Sequence, residues 1–292
     1  MIMNMNNIRR PAFKAYVFLW YVFYISLRII LRLLLGKKRR QYVQDLLGLH
    51  YSRGFNILYG DLGVFHTYEP HVQKIIKRHL KNGGVFIDVG AYIGFFSKYA
   101  HKLVRKKGGL IIAIEPDPYN YAVLREQIPK DVKIVNVAIW TENKALKFRL
   151  GRPHYSTKHK ISSRISDAGS LVSTPLHEER KLLLDEYITV DGIRLDTLIR
   201  QFGLNSVDLV KMDIEGAEYH ILTDPDLDLA PVKAMIIEVH YPFTSPQNKA
   251  IISSLKSKGF QLYPFLGPDK LRYHLYAIKP DKLKNHKMTI ND

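Results

Sequence analysis

The chain has no cysteine in its 292 residues. That excludes disulfides, thiolate metal sites and a cysteine nucleophile, and it fits a reducing compartment. No internal repeat or low-complexity segment appears. With 46% apolar and 24% charged residues the chain reads as globular, long enough for one large α/β domain plus attachments. Acidic residues are missing from the first forty positions, where Arg9, Arg10, Lys14, Arg28, Arg32, Lys37, Lys38, Arg39 and Arg40 stand unopposed. About half of the formal charge of +17 therefore belongs to this segment, and the remainder is what a solvated basic surface carries. A nucleic-acid partner has no support beyond charge.

The same N-terminal segment holds the longest apolar run. Ala15–Leu27 has no charge, and Ile29–Leu35 continues it apart from Arg32. As a helix, Ala15–Leu35 would be about 31 Å long at ~1.5 Å per residue, close to the roughly 30 Å of a hydrocarbon core. Arg28 and Arg32, one turn apart and on a stripe with Tyr21 and Tyr24, suit a helix lying at the headgroup level instead. A helix packed on the protein's own core is the third reading. No small-residue cleavage site follows, which speaks against a removed signal peptide. The cluster Lys37–Arg40 should face the cytoplasm and an anionic membrane surface. The predicted organisation is a membrane-associating helix over 1–40, a lead-in over 41–82, a catalytic domain over 83–280 and a basic tail over 281–292.

One further absence decides the central motif. Val85–Val89 reads as a buried strand running into the turn Gly90-Ala91-Tyr92-Ile93-Gly94, after which Phe95, Phe96, Tyr99 and Leu103 recur at helical spacing. A nicotinamide or flavin fingerprint needs a second glycine two residues after the first, and Tyr92 occupies that place. Asp88, just before the turn, would also repel a pyrophosphate. An acid ahead of a Gly-x-x-x-Gly turn suits a ligand bearing an ammonium and a sulfonium, which points to S-adenosylmethionine. The alternative is an α/β turn that binds nothing.

Downstream, Leu110–Ile114 reads as a second strand closed by Glu115-Pro116, with Glu115 where an acid would accept from ribose hydroxyls. Val132–Val137 reads as a third strand, with Asn136 and Ala138 bordering an adenine, and Ala145–Leu150 as a fourth. Residues 151–186, rich in Ser, His, Lys and Arg, read as an acceptor-side lid or as a disordered loop. Tyr187–Val190 is a strand and Leu195–Phe202 a helix. A strand beginning at Val207 delivers Asp213, Glu215 and Glu218 at its carboxyl end. Ala234–Val239 ends in Glu238 and His240, and Gly259–Phe265 with Tyr273–Ile278 closes the sheet as an antiparallel pair.

Taken together, Tyr68-Glu69-Pro70, Phe86-Ile87-Asp88-Val89-Gly90-Ala91-Tyr92-Ile93-Gly94, Glu115-Pro116-Asp117-Pro118, Leu195-Asp196-Thr197-Leu198, Lys211-Met212-Asp213-Ile214-Glu215-Gly216-Ala217-Glu218 and Ile237-Glu238-Val239-His240 resemble the FkbM-type S-adenosylmethionine-dependent methyltransferases. The resemblance covers residues 68–278 and departs at Tyr92, where relatives commonly carry Asn. It implies a Rossmann-like α/β fold with a mostly parallel sheet, and O-methylation of a hydroxyl on a sugar, glycan or secondary metabolite. A nucleic-acid methyltransferase and a non-catalytic membrane-attached binding module are the alternatives. The expected donor site is Glu69, Asp88, Gly90, Ala91, Gly94, Glu115, Pro116, Asn136, Ala138 and Asp213. Asp213 and His240 are candidates for the base that takes the acceptor's proton. Alternatively, Asp213 and Glu238 would hold Mg²⁺ to lower the acceptor's pKa.

Overall fold

The computed structural model describes residues 69–152, 166–266 and 271–280. The chain divides into two compact units, 1–70 and 71–292. The expected N-terminal helix, a short hairpin expected over Asn56–Phe65 and the basic tail all lie outside the described residues. No helix among those described is long and apolar enough to cross a membrane.

The second unit is built on a seven-stranded sheet. Its strands are β1 (Val85–Val89), β2 (Leu110–Ile114), β3 (Lys133–Val135), β7 (Leu209–Met212), β8 (Ala234–Val239), β9 (Gln261–Phe265) and β10 (Tyr273–Ile278). Their order is β3-β2-β1-β7-β8-β10-β9. The first five run parallel, and β10 pairs antiparallel with both β8 and β9. Helices cover both faces, which is why the central strands are unbroken apolar runs. On one face Phe86, Ile111 and Ile236 meet α1 (Pro70–Leu80) through Val72, Ile76 and Leu80, and α2 (Phe95–Val104) through Phe96, Ala100 and Val104. On the other, Ile87, Val210 and Ile237 pack on α5 (Leu195–Gln201), α6 (Glu218–Leu222) and α7 (Pro246–Ser257). α3 (Pro118–Gln127) follows β2 and starts on Asp117, whose side chain accepts from the N–H groups of Tyr119 and Asn120.

A second, three-stranded sheet departs from the expected layout. It comprises β4 (Ala138–Ile139), β6 (Leu183–Ile193) and β5 (Ala145–Gly151), in that order. The expected fourth strand therefore forms β5 of this smaller sheet, and Ala138 is buried in its core with Phe148, Leu150 and Val190. The expected strand Tyr187–Val190 is the middle of the eleven-residue β6. Charges such as Asp185 and Glu186 disguise its first half, and a strand with one solvated face tolerates them. Nor is 151–186 a plain loop: it contains α4 (Pro175–Arg180) and the start of β6.

Candidate active site

Strand order reverses between β1 and β7, and ligands of open α/β sheets bind outside the carboxyl ends of strands at such a switch point. Register brings the polar residues there. Asp88 pairs with Lys211, Lys211 with Ile236 and Ile236 with Tyr276, so one face carries this row across four strands. In the next row Glu238 lies opposite His274.

Lys211 joins the two halves of the crevice. Its Nζ donates to the Gly90 carbonyl at 3.0 Å and to Asp213 Oδ2 at 3.2 Å, and lies 3.6 Å from Asp88 Oδ1. Asp88 is 1% exposed and accepts from Ser97 Oγ at 2.6 Å. Burial pushes its carboxyl up, and Lys211 and Ser97 oppose that. Its place is beneath the turn, where it holds Lys211 and α2.

The glycines are required by the chain's own packing. Gly90 has φ +76, and a Cβ there would lie 1.8 Å from the Asp213 carbonyl oxygen. At Gly94, with φ +89, a Cβ would meet Leu124 Cδ1 at 2.6 Å. Packing within the chain is thus one reason for glycine at these places, beside the room for a ligand that the sequence suggests. The turn's N–H groups are likewise spent inside the fold. Gly90 and Ala91 donate to the Ile114 carbonyl at 3.0 and 2.9 Å, Gly94 donates to Ala91 at 2.8 Å, and Tyr92 donates to Glu115 Oε2 at 2.8 Å. Tyr92 has φ +51, in the left-handed region that asparagine tolerates better than tyrosine.

Glu115, just past β2, is 5% exposed. Its Oε1 accepts from the Asp117 N–H and from Asn120 Nδ2, each at 3.1 Å. Burial first, then the Asp117 carboxylate, push it up to about 7, while burial holds Asp117 itself at about 6. Three donors leave about one of its four lone-pair sites. Asn136 is exposed beside it and donates to the carbonyls of Glu115 and Pro116 at 2.8 and 3.1 Å. Ala138, two residues on, is buried in β4 of the second sheet. Glu69 belongs to the N-terminal unit and has φ +42.

The three acids after β7 separate. Asp213 keeps a quarter of its side chain exposed, at 25%. Glu215 and Glu218 turn inward onto His240, which is wholly buried: Nδ1 is 3.2 Å from Glu218 Oε1 and Nε2 is 3.5 Å from Glu215 Oε2. Glu218 Oε1 also accepts from the Ile214 N–H at 2.9 Å. Burial opposes charge on His240, but these two carboxylates raise its pKa well above the ordinary imidazole value. Glu215 is held low in return, by His240 and then by His177, against the burial that would raise it. Fully buried between these carboxylates, His240 holds Glu215 and Glu218 in place behind the crevice. It lies 3.9 Å from Asp213 Oδ1. Glu238 pairs through Oε1 with Arg272 Nη1 at 2.9 Å. Burial and the Asp213 charge push Glu238 up to about 7, despite the opposing His240, His274 and Arg272. Lys211, Ser97, Asn120 and His177 were missed by sequence reasoning. Of these only Lys211 gave a signal, by standing two residues before Asp213 on a strand.

Fold and crevice define a Rossmann-like α/β protein of the methyltransferase type, with an antiparallel strand closing a parallel sheet. Residues 88–262 match the methyltransferase FkbM domain, and the chain belongs to that family. It is similar to the 31-O-demethyl-FK506 methyltransferase FkbM of Streptomyces tacrolimicus, with 25% identity over 55% of this chain and 67% of that protein. It is 30% identical to the 2-O-methyltransferase NoeI of Sinorhizobium fredii over 51% of this chain and 60% of the relative. The AMB antimetabolite synthetase AmbE of Pseudomonas aeruginosa is 27% identical over 67% of this chain, which spans only 10% of that protein. The crystal structure of a methyltransferase FkbM from Methylobacillus flagellatus has a TM-score of 0.39 at 14% identity, over 67% of this chain and 44% of that one.

Proposed function

We propose that the chain uses S-adenosylmethionine to methylate a hydroxyl oxygen on a small-molecule or glycan acceptor. The observation that carries the donor assignment is the state of the glycine turn. The N–H groups of Gly90, Ala91, Tyr92 and Gly94 are all donated within the fold, and Asp88 and Glu115 lie beneath and beside them. A pyrophosphate needs such N–H groups free and no adjacent acids, whereas a cationic donor with ribose hydroxyls suits this environment. Family membership supports the same donor, and two of the relatives are named for transfer to oxygen.

Bound donor would supply an electrophilic methyl group. The chain's own part is to hold that group against the acceptor and to take a proton. Glu115 would receive the ribose hydroxyls, with Pro116 and Asn136 bordering the base. Lys211 ties the donor turn to Asp213. The carboxylates of Asp213 and Glu238 face the acceptor, and Glu238, raised towards neutrality, is matched to proton removal at physiological pH. Asp213, Glu238 and His240 bring ligand atoms within 4.8 Å of one another. Asp213 is also hydrogen-bonded to the Lys211 ammonium, and Glu238 is paired with Arg272, so both carboxylates already have cationic partners in the fold. The proton-transfer role is the better fit.

Calorimetry of the full chain tests the donor. S-adenosylmethionine should bind and NAD should not. Glu115→Ala, checked for folding by circular dichroism, should weaken binding by about 1.5–3 kcal/mol, roughly ten- to a hundredfold. Unchanged affinity in the folded variant, or tighter binding of NAD, would overturn the assignment.

A further inference from the structure

The returning limb of the segment between β5 and β6 is built into the crevice. Ser166, Ser170, Thr174 and His177 are all at most 2% exposed, which is unusual for polar residues of a connecting segment. Their hydrogen bonds go to two places. At the donor end, Asn120 Nδ2 donates both to the Ser166 carbonyl at 2.7 Å and to Glu115 Oε1 at 3.1 Å, and Asn120 Oδ1 accepts from the Ser166 N–H at 3.3 Å. At the other end, Ser170 Oγ donates to the Glu215 carbonyl at 2.7 Å, and His177 Nε2 lies 3.0 Å from Glu215 Oε2. Between them, Ser170 and Arg149 exchange two backbone hydrogen bonds at 2.9 and 3.0 Å. The limb also packs so closely on the loop after β7 that a Cβ on Gly216 would come within 2.1 Å of Thr174 Cγ2.

The hydrogen bonds settle the histidine's state. The Thr174 N–H donates to His177 Nδ1 at 3.2 Å, so that nitrogen carries the lone pair. The ring proton is then on Nε2 and is donated to Glu215. Glu215 thus lies between His177 from this limb, which donates to it, and His240 just past β8. Its φ of +56 marks a backbone that the surroundings must hold in place.

We propose that residues 166–177 form a strap that couples the donor acid Glu115 to the acceptor-side loop 213–218, with His177 as the positioning residue that fixes Glu215, and through it His240 and Asp213. The strap rests on the methyltransferase reading for its purpose, and on the contacts above for its existence. A ligand at Glu115 orders Asn120 and Ser166, and the order passes along the limb to Glu215.

Hydrogen exchange on the full chain, with S-adenosylhomocysteine as probe, reads this coupling without an acceptor. The probe should slow exchange by about tenfold or more in both 166–177 and 213–218. His177→Ala should keep probe affinity within about threefold and keep protection near Glu115, but lose it at 213–218. His177→Gln, whose amide can still donate to Glu215, should restore it. Nitrogen-15 histidine spectra give a second readout: the resonances lost in His177→Gln should be those of a ring with its proton on Nε2 and its lone pair on Nδ1. Probe binding without protection of the strap, or coupling that survives in His177→Ala, overturns the proposal. So does a His177 ring that proves to be charged. If the probe does not bind at all, the donor reading fails, and the ring state alone then decides the contact with Glu215.

Discussion

Three acids in six residues look equivalent on paper, yet Asp213, Glu215 and Glu218 meet three different environments. Asp213 faces the crevice and Lys211, while Glu215 and Glu218 turn onto the buried His240 and raise its pKa. Mutation should separate them. Removing His240 leaves buried carboxylates without their cation, a loss of about 3–5 kcal/mol, so His240→Ala should appear as a large drop in thermal midpoint. Asp213→Asn removes no buried pair of that kind. It should fold, bind donor nearly normally and lose on the order of 10²–10⁴ in labelled-methyl transfer to an acceptor extract. If the histidine variant melts like the parent and loses only turnover, the roles are reversed. Glu238 adds a pH dependence. Its pKa of about 7 lies above the ordinary glutamate value, so the group is protonated below neutrality and becomes a base only as pH rises. Methyl transfer should climb through pH 7 to a plateau. In Glu238→Gln it should be low and lack that limb; a variant that keeps the limb would assign it to another group.

At the scale of elements, the sequence was most legible where both faces of a strand are covered. Leu110–Ile114 and Ala234–Val239 are observed with the bounds their apolar runs predict. The helix from Phe95 and the antiparallel closing pair were also readable, because period and punctuation agree there. The small sheet was not, since β6 alternates with charges on a solvated face and pairs across an insertion of some thirty residues. In the site, strand ends gave Glu115, Asp213 and Glu238, but not which way each side chain turns. Asp88 and His240 were read as working groups because their type and place suit that, whereas their burial and partners depend on contacts distant in sequence. The glycines were read for the approach of a ligand, whereas their packing within the chain shows only in the fold, and that packing can be tested. Gly90→Ala would set a Cβ 1.8 Å from the Asp213 carbonyl oxygen, whereas at Gly259, also at positive φ, nothing lies within 4 Å. Gly259→Ala should cost about 1–2 kcal/mol in denaturant unfolding, the left-handed penalty alone. Gly90→Ala should cost several times that or fail to fold; equal midpoints would show that the β1 and β7 loops are not packed as described.

For the whole molecule, the uneven distribution of charge gives the last expectation. Nine basic residues and no acid occupy positions 1–40, around a largely apolar run from Ala15 to Leu35. The parallel sheet, its crevice and the strap all lie beyond residue 70. We propose that the N-terminal segment attaches the protein to the cytoplasmic face of an anionic membrane. Each Lys or Arg near such a surface contributes roughly 1 kcal/mol, and this attraction falls away within a Debye length of about 8 Å at physiological salt. The apolar run adds a contribution that salt does not screen. Flotation of the full chain with phosphatidylserine-containing vesicles should therefore be strong at low salt and reduced but not abolished at high salt. Replacing Lys37, Lys38, Arg39 and Arg40 by serine should weaken low-salt binding by about three orders of magnitude, the equivalent of four such charges. Affinity for S-adenosylmethionine should not change. If flotation is indifferent to both salt and the four substitutions, the basic cluster has no part in attachment. If donor affinity falls with them, residues 1–40 contribute to the catalytic unit, and the division of labour proposed here is wrong.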